Sequence, residues 1–293
     1  MASETRRPLF AVSQVSTLAS SFLEDLDAYV RAGVDGIGIW EMKLPDGRDS
    51  ESFAALERSG LAATSAVPLV PSILPMPLLG GPTDTRERID AYRASIRRLA
   101  PFRPSGLVCL TGTGEGLEPG EARRTIVAGL RELAGEAEQA DLRLALEPYQ
   151  REGGAPWSTI NTIGEAIDLI EEVDSPALGI QFDVWHLWNT PDLFDEIERY
   201  VDRFVGVHVD DYRDPTRGWA DRALPGAGAA GVPAILRALD RAGWEGYYDL
   251  EIFSDNGTFG TEYPDSLWNV PAYDLVTQAR EAFDRMWQVA GVA

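Results

Sequence analysis

Cysteine, lysine and histidine are nearly missing from this chain. Cys109 stands alone among 293 residues, so no disulfide can close within the chain and no CxxC pair can seat a metal. Lys43 is the one lysine among 26 basic residues, which confines any Schiff-base chemistry to Lys43 or the N-terminal amine. Two histidines, His186 and His208, limit how many imidazoles a metal site could use. Positive charge is scarce too: 47 acidic residues against 26 basic ones leave a formal net charge of −21. That balance argues against a nucleic-acid partner, whose phosphates need a basic face, and against an anionic membrane surface. The opening MASETRRPLF has no apolar stretch of signal-peptide length. The one long uncharged run, 62–83, is broken by Pro68, Pro71, Pro75, Pro77 and Pro82, so it cannot be a continuous spanning helix. The cytoplasm is the expected setting. No GxGxxG turn follows the first β-rich run, which argues against a dinucleotide site.

What is present is a strict alternation. β-rich runs near 10–14, 36–41, 63–69, 106–110, 143–148, 178–183, 204–209 and 247–253 predict eight strands. Amphipathic stretches near 21–32, 49–59, 84–100, 119–140, 162–173, 191–201, 231–242 and 271–290 predict helices between and after them. Ser21 with Glu24, and Thr162 with Glu165, have capping-box spacing; Thr190 before Pro191 places a capping hydroxyl ahead of a first-turn proline. Gly33, Gly60 and Gly243 fall where a left-handed residue commonly ends a helix. Eight β–α repeats with right-handed crossovers predict an α/β fold, a closed (β/α)8 barrel occupying 1–293 as one domain, in preference to an open sheet. Long loops follow strands 3, 7 and 8.

The last four strands read LALEP, GIQFD, VGVHVDD and DLEIF, and each carries a possible ligand near its C-terminal end, the face where barrel active sites form. Alternation sets Leu144 and Leu146, Ile180 and Phe182, Val205 and Val207, and Tyr248 and Leu250 toward the helices. Glu147, Asp183, His208 and Glu251 then point inward, alongside Ala145, Gln181, Gly206 and Asp249. Any one of these could be a polar strand end solvated at the rim. Four in matching register are better explained by one divalent cation that neutralises three converging carboxylates. The mixed O/N set suits Mn²⁺ first, with Mg²⁺ or Co²⁺ as alternatives.

These stretches, with INTIGEAIDLIEEVDSPALGIQFDVWHLW and DRALPGAG…VPAILRALDRAGWEGYYDLEIF, resemble the sugar-phosphate isomerase/epimerase superfamily. That superfamily comprises the xylose-isomerase-like TIM barrels, among them ketose 3-epimerases, hydroxypyruvate isomerase and inosose-processing enzymes. The resemblance implies that Glu147, Asp183, His208 and Glu251 ligate the metal and that His186 and Arg222 contact substrate hydroxyls. Arg213 and Arg217 compete with Arg222 for that role, since all three lie in one long loop. The chain departs from ketose 3-epimerases after the first ligand: in EPYQREGGAPW, Glu152 is shifted relative to the second acid often found there.

The implied reaction is isomerisation or epimerisation of a small carbohydrate by proton transfer through an enediolate, with Glu147 and Glu251 as acid–base groups. The alternative is a lyase or dehydratase acting on a keto-sugar, keto-inositol or oxidised glycoside; further off stands a non-catalytic sugar-binding subunit. Trp40, on the interior face of the second strand, and Trp185 are expected to shape the substrate pocket, with Trp157 and Trp219 in nearby loops. Loops 70–82 and 254–271 are long enough to be lids, the second an ordered cover or a subunit contact in a homo-oligomer. The glycines of 112–116 are read as a turn in preference to a phosphate cradle.

Overall fold

Leucine and valine are the commonest residues of the strands, and most of the strands' bulky side chains face the helices. In the computed structural model, which describes residues 7–76, 80–150 and 157–291, eight of those strands close on one another. They are β1 (Leu9–Ser13), β2 (Gly36–Trp40), β3 (Ala62–Val67), β4 (Gly106–Cys109), β5 (Leu144–Leu146), β6 (Leu178–Asp183), β7 (Phe204–Val209) and β10 (Tyr247–Leu250). All pairings are parallel, in the order β1-β2-β3-β4-β5-β6-β7-β10 and back to β1. Around them lie α1 (Phe22–Arg31), α2 (Asp49–Ser59), α3 (Thr85–Leu99), α4 (Pro119–Gln139), α5 (Ile163–Val173), α7 (Leu193–Tyr200), α8 (Val232–Ala242) and α9 (Ala272–Ala290). This is the (β/α)8 barrel that the alternation predicts. Among the described residues no helix is long and apolar enough to cross a membrane.

The main core lies between barrel and helices, where Ile37, Leu107, Leu144, Ile180, Phe182 and Leu250 are buried. Ser21 forms the expected capping box with Glu24, and Thr162 accepts from the amide of Glu165. The third expected helix start is corrected. α7 begins at Leu193, because Asp192 has φ 58° and a left-handed residue cannot continue a right-handed helix. A short helix, α6 (Val184–Leu187), and a hairpin of β8 (Asp211–Tyr212) with β9 (Arg222–Ala223) were not anticipated.

A second correction concerns Val205. Ile180 pairs with Phe204 but Gln181 pairs with Gly206, so Val205 is the extra residue of a β-bulge. It turns into the barrel, where its methyls would meet a Cβ added at Gly106 (2.4 Å) or Gly179 (2.5 Å). Phe204 takes the outward position and stacks on Phe182 at 5.4 Å. Because the bulge precedes Gly206, Val207 still faces out and His208 still faces in, opposite Asp183. Gly179→Ala, whose Cβ would also lie 2.5 Å from the Arg203 carbonyl, is expected to destabilise the protein by about 1–3 kcal/mol through overpacking. A urea titration with an unshifted midpoint would show that this floor can yield.

The loops at the C-terminal face are tied down. In the loop after β3, of which 77–79 lie outside the described residues, Arg88 donates to the carbonyls of Ser72, Gly80 and Pro82. Asp255 accepts from the amides of Gly257, Phe259 and Thr261, and Trp268 Nε1 donates to the Ile252 carbonyl. These contacts tie 254–271 to itself and to the end of β10.

Candidate metal centre

Four strand ends bring the ligand candidates together. Glu147 follows β5 and its amide donates to the Cys109 carbonyl. Asp183 closes β6, caps α6 and accepts through Oδ1 from the amide of Trp185 in that helix's first turn. His208 lies in β7 between Asp183 and Asp249 of the flanking strands. Glu251 follows β10. All four are buried. His208 Nδ1 lies 3.2 Å from Glu251 Oε2, 3.5 Å from Glu147 Oε1 and 3.7 Å from Asp183 Oδ2. One ligand atom from each of the four lies within 4.8 Å of the others.

The polar accounting supports a cation here. Glu147 Oε1 and His208 Nδ1 are buried without a hydrogen-bond partner, and leaving buried polar atoms unsatisfied is costly. Three carboxylates offer only acceptors and would repel one another. A divalent ion would satisfy both conditions with an O/N donor set.

Titration reflects the same crowding. Burial pushes the Glu147 carboxyl up to about 7, against the opposing pull of His208. Burial also drives Asp183 upward, but Arg222, His186 and His208 outweigh it and hold that carboxyl well below its ordinary range. For His208 burial lowers the pKa, yet Glu251, Asp183 and Glu147 together raise it well above that of a free imidazole.

Around these four stand the other residues singled out from the sequence. Arg222 is carried inward by the β8–β9 hairpin, and its Nη1 donates to Asp210 Oδ2 (2.8 Å), Asp183 Oδ2 (2.9 Å) and Glu251 Oε2 (3.3 Å). Arg213 and Arg217 pair instead with Asp221 and Asp265, away from the cluster. His186 sits in α6 with its ring 3.8 Å from that of Tyr149 and its Nε2 3.4 Å from Arg222 Nη2. Burial lowers its pKa to about 3, so it is neutral at pH 7. Trp185 is fully buried and meets His186 edge-on at 5.0 Å, which places it behind His186 and Arg222. Trp40 donates from Nε1 to Ser13 Oγ (2.9 Å), which in turn donates to Glu251 Oε1 (3.3 Å). Trp157, Trp219, Phe253 and Phe259 form an aromatic wall with ring separations of 4.9–5.6 Å. Glu152 lies outside the described residues.

Sequence reasoning passed over three contributors. Tyr149 lies two residues beyond Glu147 and so could have been placed on the same side; Asp210 stands two beyond His208 in HVDD. Ser13 carries no motif, and only the closure of β1 against β10 brings it to Glu251.

Comparison with known proteins places this geometry. Residues 26–286 match the family described as xylose isomerase-like TIM barrel. The chain belongs to that family. Within it, the chain is similar to an inosose isomerase of Halalkalibacterium halodurans, 29% identical over 48% of this chain and 50% of the relative. It is also similar to a D-psicose 3-epimerase of Enterocloster bolteae, 31% identical over 56% of this chain and 50% of the relative. The chain thus spans about half the length of these curated relatives. A crystal structure of a Sinorhizobium meliloti 1021 protein superposes with a TM-score of 0.83 at 25% identity, covering 95% of this chain and 98% of that one.

In this xylose isomerase-like barrel a cation entering the cluster must displace protons from Glu147 and His208, since both pKa values are raised. Mn²⁺ affinity is therefore expected to rise with pH through the neutral range as His208 gives up its proton, and to fall more steeply below about 7, where Glu147 also takes one up, by about tenfold per unit for each proton displaced. Calorimetric titration in buffers of different ionisation enthalpy checks this. An affinity flat from pH 5.5 to 8 would contradict it.

Proposed function

We propose that this protein is a divalent-metal-dependent isomerase or epimerase of a keto-sugar or keto-polyol, most simply with Mn²⁺. One observation carries the reading: Glu147 and Glu251 converge from β5 and β10 on one buried point, flanked by Asp183 and His208. Both relatives described above bear the name of an isomerase or epimerase, which supports the same class.

Glu147, Asp183, His208 and Glu251 would hold the ion. When bound, it supplies a Lewis acid that lowers the barrier to removing a proton from carbon next to a carbonyl. Glu147 and Glu251 come from strands separated by β6 and β7, so they can address the substrate carbon from different sides. One carboxylate accepts the carbon-bound proton and the other returns a proton. Return to the opposite face of the same carbon gives an epimer; return to the neighbouring carbon, with the hydroxyl proton passing to the former carbonyl oxygen, interconverts ketose and aldose. Neutral His186 and Arg222 would bind substrate hydroxyls. The aromatic wall, with Trp157 and Phe253 buried and Trp219 and Phe259 half-buried, would exclude water and so limit loss of the abstracted proton.

The test is NMR of the Mg²⁺-loaded protein with a panel of ketoses and keto-inositols in D₂O. Deuterium next to a carbonyl, together with an isomeric product, is the expected result. A dehydrated or unsaturated product would replace this reading with an elimination. An absence of exchange from every panel member would remove the proton-transfer assignment.

A further inference from the structure

Asp249 lies inside the barrel, one inward position before Glu251, and the reaction outlined above does not use it. Its Oδ2 accepts from Thr64 Oγ1 (2.5 Å), Ser65 Oγ (2.8 Å) and the Ser65 amide (3.2 Å). Thr64 and Ser65 are consecutive and would ordinarily point to opposite faces of β3. They reach one carboxylate because the β2–β3 register slips: Ile37 pairs with Ala63, but Ile39 pairs with Ala66. Two residues of β3 therefore oppose Gly38 alone. A side chain at that position would not fit, since its Cβ would lie 2.8 Å from Ser65 Oγ and 3.2 Å from Asp249 Oδ2. A bulge, a glycine and a buried acid from three strands thus serve one arrangement.

The arrangement ends on a ligand candidate. Ser65 Oγ lies 3.4 Å from His208 Nε2. A serine hydroxyl has one proton, and here it is donated to Asp249. Toward His208 the same oxygen can only accept, which requires the imidazole proton to be on Nε2. The neutral ring then has its lone pair on Nδ1, the atom that faces Glu147, Asp183 and Glu251.

We propose that Ser65 and Asp249 are positioning residues that hold His208 as its Nε2–H tautomer and thereby present Nδ1 to the cation. The inference rests on the metal reading above. Hydrogen-bond partners behind a ligating histidine orient the ring and raise the basicity of the ligating nitrogen; their loss typically weakens metal binding on the order of 10–100-fold.

The test compares Mn²⁺ binding to chelator-stripped wild type, Ser65→Ala and Thr64→Val by calorimetry. Both hydroxyls bond the same Asp249 oxygen, so a merely structural role would move the two variants alike. Ser65→Ala is expected to weaken Mn²⁺ binding by about tenfold or more, and Thr64→Val to stay within about threefold of wild type. Equal losses, or no loss in Ser65→Ala, would overturn the inference. A second measurement needs no variant. With two histidines in the chain, ¹H–¹⁵N NMR of the Mg²⁺-loaded wild type resolves the His208 tautomer, and a proton on Nδ1 would overturn the inference even if neither variant folded. Wild type that binds no divalent ion would defeat the metal reading and this inference with it; wild type that binds, with variants indistinguishable from it, defeats the tautomer assignment alone.

Discussion

Glu251→Gln is expected to lower turnover of a keto-sugar by about 10²–10⁴-fold, the range that a positioned general acid or base supplies. The amide matches the carboxylate in size, and its oxygen can still accept from Ser13, which donates to Glu251 Oε1 in the native protein. What it cannot do is accept the substrate proton, and it is a weaker cation ligand. The two losses separate experimentally. At saturating Mn²⁺ the ligand defect is offset by mass action, and the remaining deficit in kcat reports the proton-transfer role. Deuterium exchange in D₂O gives the same answer without a coupled assay. Turnover within threefold of wild type at full metal occupancy would strip Glu251 of the acid–base role and leave it a ligand only.

Arg222→Leu is expected to destabilise the metal-free protein by about 3–5 kcal/mol, the usual penalty for removing one partner of a buried ion pair. Arg222 is 3% exposed and donates to Asp183, Asp210 and Glu251 at once, so its loss leaves three buried carboxylates facing one another. The pH dependence follows from Asp183. Its carboxyl is held below the ordinary value of 3.8, with Arg222 the foremost lowering influence, so the native pairing contributes stability above that value and loses it only in stronger acid. The variant's deficit should therefore be largest near neutrality and shrink below about pH 4. Mn²⁺ should narrow it at pH 7, because a cation in the cluster replaces part of the missing positive charge. Urea unfolding with chelator and with Mn²⁺ measures both effects. A deficit under about 1 kcal/mol in chelator, the scale of an exposed ion pair, would show that Arg222 is not the counter-charge of this centre.

Much of the architecture was legible because strand and helix periods differ and the chain keeps them apart. The runs at 178–183 and 204–209 coincide with β6 and β7, and the boundaries of α2 match those read from the sequence. The inward set of Glu147, Asp183, His208 and Glu251 was readable for the same reason: alternation is local, and each of these residues lies near its strand's C-terminal end. Val205 shows where that reasoning stops. Alternation assumes unbroken pairing, and a bulge depends on the neighbouring strand, which no local pattern in β7 announces. The slip in β3 is the same kind of event, and it alone lets Ser65 stand between His208 and Asp249. Arg222 marks a different limit. Three arginines lie in one loop, and only the hairpin of β8 and β9 turns Arg222 inward while Arg213 and Arg217 meet Asp221.

By itself, then, the order of residues determined an eight-stranded parallel barrel, the face that bears the site, and the four side chains that gather there. These follow from periodicity and from the few residue types able to bind a cation. The tertiary structure alone decided which residues stand behind those four: Ser13 against Glu251, Ser65 and Asp249 against His208, and Arg222 against Asp183. Such contacts join strands far apart in sequence, and their register is set by ring closure and bulges, which are properties of the closed sheet and of no single segment.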